Sequence, residues 1–334
     1  MKKIAIIGGG SWGTALAIAL TRSSRPHRLA VWAHSPDVVD QLRTMRINTI
    51  YLPGFELPAE VEVTGELLEA LAGAEIVLGV MPSAHAREVY CAMRPHLDPH
   101  AVFVSATKGL EPATHARISE VIADEIARNP PPRIAVLSGP SFALEVARGD
   151  PTAVVLASAE ASLATDVQEE FSGSTFRLYT NDDLVGTEIA GAVKNVIAIA
   201  AGVCTGLGLG ANTVAALVTR GLAEMTRLAV ALGGRRDTLA GLAGVGDLIL
   251  TSTGALSRNR SVGIELGKGR ELGEILSATR MVAEGVGSAA ATLELARRAG
   301  VEMPITEQVH TVLTAGRATR DAIRELMERR LKQE

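Results

Sequence analysis

Residues 3–17 read KIAIIGGGSWGTALA, an apolar run that leads through three glycines into a segment rich in alanine and leucine. The run is typical of a buried β-strand, and the segment after it has the composition of an α-helix. Between the two, Gly8, Gly10 and Gly13 form the pattern Gly-x-Gly-x-x-Gly. In this context the pattern predicts a turn that binds the diphosphate of a dinucleotide. A glycine-rich turn without a ligand is the alternative.

The three glycines have separate tasks in such a turn. Gly8 permits the tight turn, Gly10 lets the backbone approach the pyrophosphate, and Gly13 lets the helix pack close to the strand. The first turn of the helix then offers N–H donors and the positive end of the helix dipole to the phosphates.

The first half of the chain continues to alternate between strands and helices. Apolar, β-rich runs predict strands at residues 3–7, 29–32, 75–81, 101–106, 133–138 and 152–157. Helical segments, such as residues 13–23 and 116–128, lie between them. This alternation is typical of a doubly wound α/β domain of the Rossmann type, in which a parallel sheet carries helices on both faces.

The composition changes after about Tyr179 to helical segments rich in alanine, leucine and glycine, without a convincing strand. Residues 180–183, Thr-Asn-Asp-Asp, resemble the N-cap region of a first long helix. We therefore predict a dinucleotide-binding domain at residues 1–180 and an all-helical domain at residues 181–334. Since no linker of proline and serine separates them, we expect a ligand to bind between the two domains.

Charge and cysteine content exclude several classes of protein. The chain has 334 residues, a formal net charge of -4 and two cysteines. A charge near neutrality gives no electrostatic argument for a nucleic-acid partner or a polybasic membrane contact. Cys91 and Cys204 belong to no metal-binding or redox motif, so we expect no disulfide framework, no metal and a cytoplasmic location.

One uncharged stretch, residues 195–219, is long enough to cross a bilayer. Glycines and asparagines interrupt it, so we favour two buried helices joined by a glycine-rich turn over a membrane span. At the N-terminus, the glycines that follow Ile7 argue against a signal peptide.

The residues after the second predicted strand bear on the choice of cofactor. Domains of this type that bind NAD usually place Asp or Glu there, against the ribose 2'-hydroxyl. Here residues 31–35 read Val-Trp-Ala-His-Ser, and the first acidic residue is Asp37. The sequence therefore permits NADP as well as NAD, with the missing carboxylate in favour of NADP. His34 either approaches the adenosine ribose or is an ordinary exposed loop histidine.

The source of a catalytic proton is the next question, because oxidation of an alcohol moves a proton as well as a hydride. None of the seven histidines lies between Arg117 and Val309, and only six of the 33 basic residues are lysine. Lys108 follows a predicted strand, and Lys194 lies in an apolar helical run. A buried lysine can lose its proton, which an arginine cannot. For Lys194 the alternative is an amine that reaches solvent.

Other polar residues stand out by their surroundings. Asp247 lies in an apolar stretch, where a carboxylate needs a partner such as a lysine amine; a helix N-cap is the alternative. Ser257, Arg258 and Asn259 precede a helix-like segment and offer donors to a phosphate, although they also fit an ordinary surface. The loop at residues 138–143 follows a strand and is either a ligand loop or a plain turn.

With these segments identified, the whole chain closely resembles the bacterial-type NAD(P)-dependent sn-glycerol-3-phosphate dehydrogenases. The matching blocks are GGGSWGTALA at 8–17, TKGLE at 107–111, LSGPSFALEVARG at 137–149, VKNVIAIAAGV at 193–203, GLAGVGDLILT at 241–251, LSRNRSVG at 256–263, EGVGSA at 284–289 and VEMPI at 301–305. The resemblance implies the reversible reduction of dihydroxyacetone phosphate to sn-glycerol 3-phosphate, a precursor of glycerophospholipids. It also implies a helical domain like that of 6-phosphogluconate dehydrogenase, and a homodimer.

The resemblance assigns roles to particular residues. Lys194 matches the proton acceptor and donor, and Lys108 matches a lysine near the substrate and the nicotinamide. Our own hypothesis adds Asp247 to these catalytic residues, as the carboxylate that holds the Lys194 amine in place. Matches to substrate contacts are Lys108, Gly139, Ser141, Lys194, Asp247, Ser257, Arg258 and Asn259. Matches to cofactor contacts, besides the three glycines of the turn, are Ser11, Trp12, His34, Lys108, Ala143, Arg258, Val282 and Glu284.

Two other functions are compatible with the predicted fold. One is a dehydrogenase for a small hydroxy acid, whose carboxylate would also suit Arg258. The other is a non-catalytic sensor of NAD(P), which would have no use for Lys108, Lys194 and the buried-looking Asp247. A test of phosphate dependence separates the first of these from the dehydrogenase of a phosphate ester.

Overall fold

The computed structural model describes residues 1–279 and 282–330 and divides into two compact units, Met1–Glu188 and Ile189–Glu334. The first unit is an α/β domain of the Rossmann type and the second is built of helices, which confirms the predicted fold class. The division falls inside a long helix, a few residues beyond the predicted boundary at residue 180, which itself stays a prediction.

The first unit contains an eight-stranded sheet and a separate hairpin. The strands are β1 (Lys2–Ile7), β2 (His27–Trp32), β3 (Ile47–Asn48), β4 (Leu52–Glu56), β5 (Glu62–Thr64), β6 (Ile76–Gly79), β7 (Val102–Ser105), β8 (Ile134–Ser138), β9 (Thr152–Ala157) and β10 (Phe176–Asn181). The sheet has the order β10-β9-β8-β7-β6-β1-β2-β5, and β3 pairs with β4 in the hairpin.

Helices connect these strands. They are α1 (Ser11–Thr21), α2 (Pro36–Thr44), α3 (Leu67–Leu71), α4 (Ala86–Met93), α5 (Ile118–Glu125), α6 (Ala143–Arg148) and α7 (Ala161–Phe171). Successive residues of β1 enter two different cores, Ile4 and Ile6 in one and Ala5 and Ile7 in the other. Because strand side chains alternate between faces, the sheet is covered on both sides, as the continuous apolar runs predict.

The sheet departs from the prediction in three places. The strand pair β8–β9 is antiparallel, whereas the alternation of strands and helices predicts a parallel pair there; the other pairings of the eight-stranded sheet are parallel, as predicted. The connection between these strands, residues 139–151, contains the six-residue helix α6. The strands β5 and β10 were not predicted; both lie at sheet edges, and β10 buries only alternate residues, beginning with Phe176 and Leu178.

The start of the first long helix also differs from the prediction. Thr180 and Asn181 belong to β10, so their assignment to an N-cap region is wrong. Asp183 does fill that position, because its Oδ1 accepts a hydrogen bond from the Gly186 backbone N–H at 2.7 Å.

The helices that follow are α8 (Leu184–Gly206), α9 (Ala211–Ala231), α10 (Arg236–Ala240), α11 (Asp247–Thr253), α12 (Arg258–Gly267), α13 (Leu272–Ser277), α14 (Glu284–Arg298), α15 (Pro304–Ala315) and α16 (Thr319–Glu328). The uncharged stretch at residues 195–219 forms α8 and α9 with a turn between them, as predicted. By length and composition α8 could cross a membrane, but 83% of its most apolar window is buried inside the protein, as in a core helix.

Glycines bring α8 and α12 into backbone contact. A Cβ added at Gly202 would lie 2.1 Å from the Arg260 carbonyl oxygen, and one at Gly206 would lie 2.2 Å from that of Ile264. In the reverse direction, a Cβ at Gly263 would lie 2.0 Å from the Ile199 carbonyl oxygen. Any side chain at these positions would therefore push the two helices apart. This contact sets the distance between the residues that α8 and α12 carry.

Candidate active site

The glycine-rich turn has the geometry of a phosphate-binding loop. Gly8 has a φ of +135°, and a Cβ there would lie 2.8 Å from the carbonyl carbon of Val80. A Cβ on Gly13 would lie 1.8 Å from the Gly8 carbonyl oxygen. Both positions are therefore closed to a side chain, because the turn is tight at Gly8 and α1 packs directly on it at Gly13.

The opposite side of the turn is open. A Cβ added at Gly10 would meet no atom of the described residues within 4 Å. Gly10 is the N-cap of α1, so the N–H groups of Ser11, Trp12 and Gly13 have no acceptor within the helix. The Trp12 Nε1 atom is also buried without a hydrogen-bond partner in the part of the chain that the structure describes. These donors and the helix dipole fit the diphosphate of a dinucleotide.

His34 lies just beyond the end of β2. Its side chain is exposed, and its ring centroid lies 6.0 Å from that of Trp32. The indole N–H of Trp32 donates to the Gly65 carbonyl oxygen at 2.8 Å, which fixes the strand end. His34 is followed by the N-terminus of α2, whose first turn contains Asp37.

A second group of residues lies at the carboxyl ends of the neighbouring strands β7 and β8. Lys108 follows β7, and its Nζ donates to the Gly139 carbonyl oxygen at 2.7 Å and to the Ser141 Oγ at 3.1 Å. Gly139 has a φ of +127°, a conformation that only glycine adopts at low cost, and Ala143 begins α6. The structure therefore brings Lys108, Gly139 and Ser141 together through direct hydrogen bonds.

Lys194 lies on α8 and is only 5% exposed, so its amine does not reach out to solvent. Its Nζ donates to the Asp247 Oδ1 at 2.8 Å and to the Thr251 Oγ1 at 2.8 Å. Asp247 is 1% exposed, and a buried charge of either sign requires such a partner. The lysine amine is therefore held in a fixed position by a carboxylate and a hydroxyl.

An unusual backbone turn directly precedes Asp247. The segment Leu242–Gly246 is a π-helical turn, in which Gly244 lies too close to Leu239 for any side chain. Turns of this kind are frequent at functional sites. The turn at Leu242–Gly246 is followed by α11, whose first residue is Asp247. Because Gly246 is the N-cap of α11, the alternative role of Asp247 as a helix N-cap does not apply.

The N-terminus of α12 carries the candidate phosphate anchor. Ser257 is its N-cap, with an Oγ that accepts from the Arg260 N–H at 3.2 Å. The Arg258 side chain is exposed, yet desolvation by the surrounding protein lowers the pKa of its guanidinium, and the nearby Glu284 acts in the opposite direction. Such a partly desolvated cation beside free helix N–H groups is suited to an anion.

Asn259 uses its side chain inside the protein. Its Nδ2 donates to the Asn195 Oδ1 at 2.9 Å, and its Oδ1 accepts from the Gly285 N–H at 2.9 Å. Asn259 thereby joins α8, α12 and α14. Its backbone N–H lies in the first turn of α12 and is a donor that Asn259 can offer to a substrate.

The two remaining candidates lie near the start of α14. Val282 is 46% exposed and follows residues 280–281, which are outside the described part of the chain. Glu284 is the first residue of α14, half-buried, and attracts Arg258.

Comparisons with known proteins give the family. A model described as the N-terminus of NAD-dependent glycerol-3-phosphate dehydrogenase matches residues 3–164, and one for the C-terminus matches residues 183–324. The chain belongs to this family. A glycerol-3-phosphate dehydrogenase [NAD(P)+] of Koribacter versatilis is 56% identical over 98% of both chains. Another, from Acidobacterium capsulatum, is 54% identical over 98% of each.

A solved structure of the same family has the same fold as this chain. The crystal structure of glycerol-3-phosphate dehydrogenase from Coxiella burnetii superposes with a TM-score of 0.93 at 41% identity. The superposition covers 98% of this chain and 99% of that one.

Sequence reasoning missed two residues of this dehydrogenase: Thr251, which bonds Lys194, and Asn195, which bonds Asn259. Thr251 is four residues after Asp247 on a helix, which places both on one face; that spacing was the available signal. Asn195 follows Lys194 in the chain and binds Asn259, a contact that no sequence pattern indicates because the two residues lie 64 positions apart.

Proposed function

We propose that this member of the family catalyses the reversible NAD(P)H-dependent reduction of dihydroxyacetone phosphate to sn-glycerol 3-phosphate, and so supplies glycerophospholipid synthesis. The observation that carries the proposal is the buried cluster of Lys194, Asp247 and Thr251 in a chain of this family. A general acid needs a fixed position and a proton that it can give to the substrate. The Lys194 amine has a fixed position in this cluster, and it is buried away from bulk solvent.

Lys194 is the proposed proton donor. When bound, the nicotinamide cofactor supplies a hydride to C2 of the ketone. The Lys194 ammonium stabilises the negative charge that develops on the C2 oxygen and then gives it a proton. Asp247 and Thr251 hold the amine in place throughout, and in the reverse direction the neutral amine accepts the proton of the alcohol.

The phosphate of the substrate is the proposed ligand of α12. Arg258 binds it through the guanidinium, while Ser257 and Asn259 contribute the N-terminal end of the helix. A fixed phosphate holds C2 at a constant distance from Lys194, because the α8–α12 contact fixes both helices. Lys108, Gly139 and Ser141 are proposed as further substrate contacts, with Lys108 adding a second positive charge.

The cofactor is proposed to bind along the turn at Gly8, Gly10 and Gly13, with its diphosphate on the N–H groups of Ser11 and Trp12. The other proposed cofactor contacts are His34, Lys108, Ala143, Arg258, Val282 and Glu284.

The first test is oxidation of NADPH or NADH by the purified protein. We expect oxidation with dihydroxyacetone phosphate and not with unphosphorylated dihydroxyacetone. Replacing Lys194 with alanine lowers turnover by about 100-fold or more, the effect of losing a general acid. Lys268→Ala is the control, because Lys268 is an exposed lysine paired only with a surface glutamate among the contacts described. Equal rates with and without the phosphate would favour another substrate, and near-normal turnover of Lys194→Ala would remove Lys194 from this role.

We also propose a cytoplasmic homodimer. The first half of α9, residues 211–219, is uncharged and only partly covered by its own chain, which suits a second copy of the protein. Sedimentation of the purified protein tests this, and a single species of monomer mass at micromolar concentration would contradict it.

A further inference from the structure

Asn48 lies in a small structure beside the large sheet. It forms β3 together with Ile47, and β3 pairs with β4 in the two-stranded hairpin. Although Asn48 is polar and near a loop, its side chain is completely buried. A buried amide needs hydrogen-bond partners, and the identity of these partners indicates what the residue does.

The Asn48 side chain is bonded to the glycine-rich turn. Its Nδ2 donates to the Gly9 carbonyl oxygen at 2.8 Å and to the Thr14 Oγ1 at 2.9 Å. Its Oδ1 accepts from the Tyr51 N–H at 3.1 Å, within the hairpin. One side chain thus connects the hairpin to both ends of the segment that offers its N–H groups to a diphosphate.

The bond to Gly9 sets the direction of a donor. In a planar trans peptide the C=O and N–H groups point in opposite directions. Since the Gly9 carbonyl points toward Asn48, the N–H of Gly10 points away from it. Gly9 is also packed against Ala33, where an added Cβ would lie 2.5 Å from the Ala33 Cβ, so this peptide is fixed from two sides.

We propose that Asn48 is a positioning residue for the cofactor: it holds the Gly9–Gly10 peptide and the first turn of α1 in the orientation that binds the diphosphate. The proposal rests on the use of NAD(P) by this chain. Asn48 does not touch the reacting atoms, so its contribution lies in the affinity for the cofactor and leaves the chemical step unchanged. Glycines are otherwise free to adopt many conformations, and an ordered turn binds more tightly because less entropy is lost on binding.

Two substitutions test the contact from its two sides. Asn48→Asp keeps an oxygen for the Tyr51 N–H but removes both bonds donated to the turn. Thr14→Val removes one acceptor without introducing a charge. Thr49→Ala is the control, because Thr49 is exposed on the same hairpin and its hydroxyl bonds only Gln41 among the contacts described.

Two measurements are made on each variant. Hydrogen exchange of residues 8–14 in the cofactor-free protein reports the order of the turn. Quenching of tryptophan fluorescence reports the Kd for NADPH, since Trp12 is in the turn itself. We expect faster exchange in both variants and a Kd about tenfold higher in Asn48→Asp, the loss of one to two hydrogen bonds. At saturating NADPH, kcat and the KM for dihydroxyacetone phosphate stay within about twofold of wild type.

Three results would overturn the positioning role of Asn48. The first is a folded Asn48→Asp variant whose hydrogen exchange and Kd for NADPH equal those of Thr49→Ala. The second is a higher Kd of Asn48→Asp with unchanged exchange of residues 8–14, and the third is an equal loss of affinity for NADPH and for dihydroxyacetone phosphate. The second result would mean that the new charge repels the diphosphate. If the wild-type protein itself failed to bind NADPH, the proposed function would fall, and the exchange data would still decide whether Asn48 orders the turn.

Discussion

Gly263→Ala probes the contact between α8 and α12. The added methyl carbon would lie 2.0 Å from the Ile199 carbonyl oxygen, whereas carbon and oxygen atoms in proteins stay more than about 3 Å apart. Since backbone lies on both sides of this contact, α12 has to move away from α8 by about 1 Å. That movement carries Arg258 away from Lys194, and a misplacement of this size lowers catalysis by as much as about 100-fold.

The control is Gly273→Ala in α13, where an added Cβ would meet no atom of the described residues within 4 Å. Both substitutions gain about 1 kcal/mol of helix propensity, so the difference between them isolates the steric effect. We expect Gly263→Ala to have a free energy of unfolding lower than that of the control by about 1–3 kcal/mol, the usual result of overpacking.

The assays are denaturant unfolding and steady-state kinetics with dihydroxyacetone phosphate. We expect kcat/KM of Gly263→Ala to fall between about 10-fold and 100-fold below that of Gly273→Ala. If the two variants agreed within about twofold in both kcat/KM and stability, the helix contact would not control the geometry of the site.

Two more predictions concern ion pairs of the first unit. Glu111 binds Arg87 through Nε at 2.5 Å and Nη2 at 3.0 Å, which lowers the Glu111 pKa and anchors the loop that carries Lys108. We expect Glu111→Gln to lower kcat/KM about tenfold. Glu125→Gln is the control, because Glu125 also binds Arg87, and we expect its kcat/KM to stay within about twofold of wild type. Equal effects of the two substitutions on kcat/KM would refute the anchoring role of Glu111. Burial alone would raise the Glu170 pKa, but hydrogen bonds from His27, Lys2 and Arg25 lower it to about 2. The ionised Glu170 carboxylate therefore stabilises the folded protein at pH values above the ordinary pKa of a glutamate, and this stabilisation is lost as the pH falls toward 2. In urea unfolding, the stability difference between wild type and Glu170→Gln should narrow by about 3 kcal/mol from pH 6 to pH 2, and a constant difference would contradict the assignment.

Much of the fold and of the candidate site was accessible from sequence because it depends on local patterns. The strand, three glycines and helix at residues 3–17 are contiguous, and β1, the turn and α1 follow one another in the structure. The scarcity of lysine pointed to Lys194, and the apolar surroundings of Asp247 implied a buried partner such as a lysine amine, which the Lys194–Asp247 hydrogen bond provides. The glycine pattern lies within the segment that it predicts, whereas the scarcity of lysine is a count over the whole chain.

Features that depend on distant contacts were not accessible. The antiparallel direction of β9 relative to β8 is a property of the pairing of two strands, and composition does not reveal it. The edge strands β5 and β10 have weak apolar signals because one edge of each lacks a neighbour. Asn259 carries an amide that could bind a phosphate, but this amide forms hydrogen bonds to Asn195 on α8 and to Gly285 on α14. Only the tertiary structure shows these two contacts.

The backbone contact between α8 and α12 has a consequence for substrate choice. On the proposed roles, main-chain atoms set the spacing between the helix backbones that carry the proton donor and the phosphate anchor. Only the side chains of Lys194 and Arg258 can then adjust the distance between the two groups, and Lys194 is already held by Asp247 and Thr251. A phosphorylated ketone that is one carbon longer would therefore have to be accommodated by a different conformation of the Arg258 side chain, or by a wider spacing of the helices through changes at Gly202, Gly206 or Gly263.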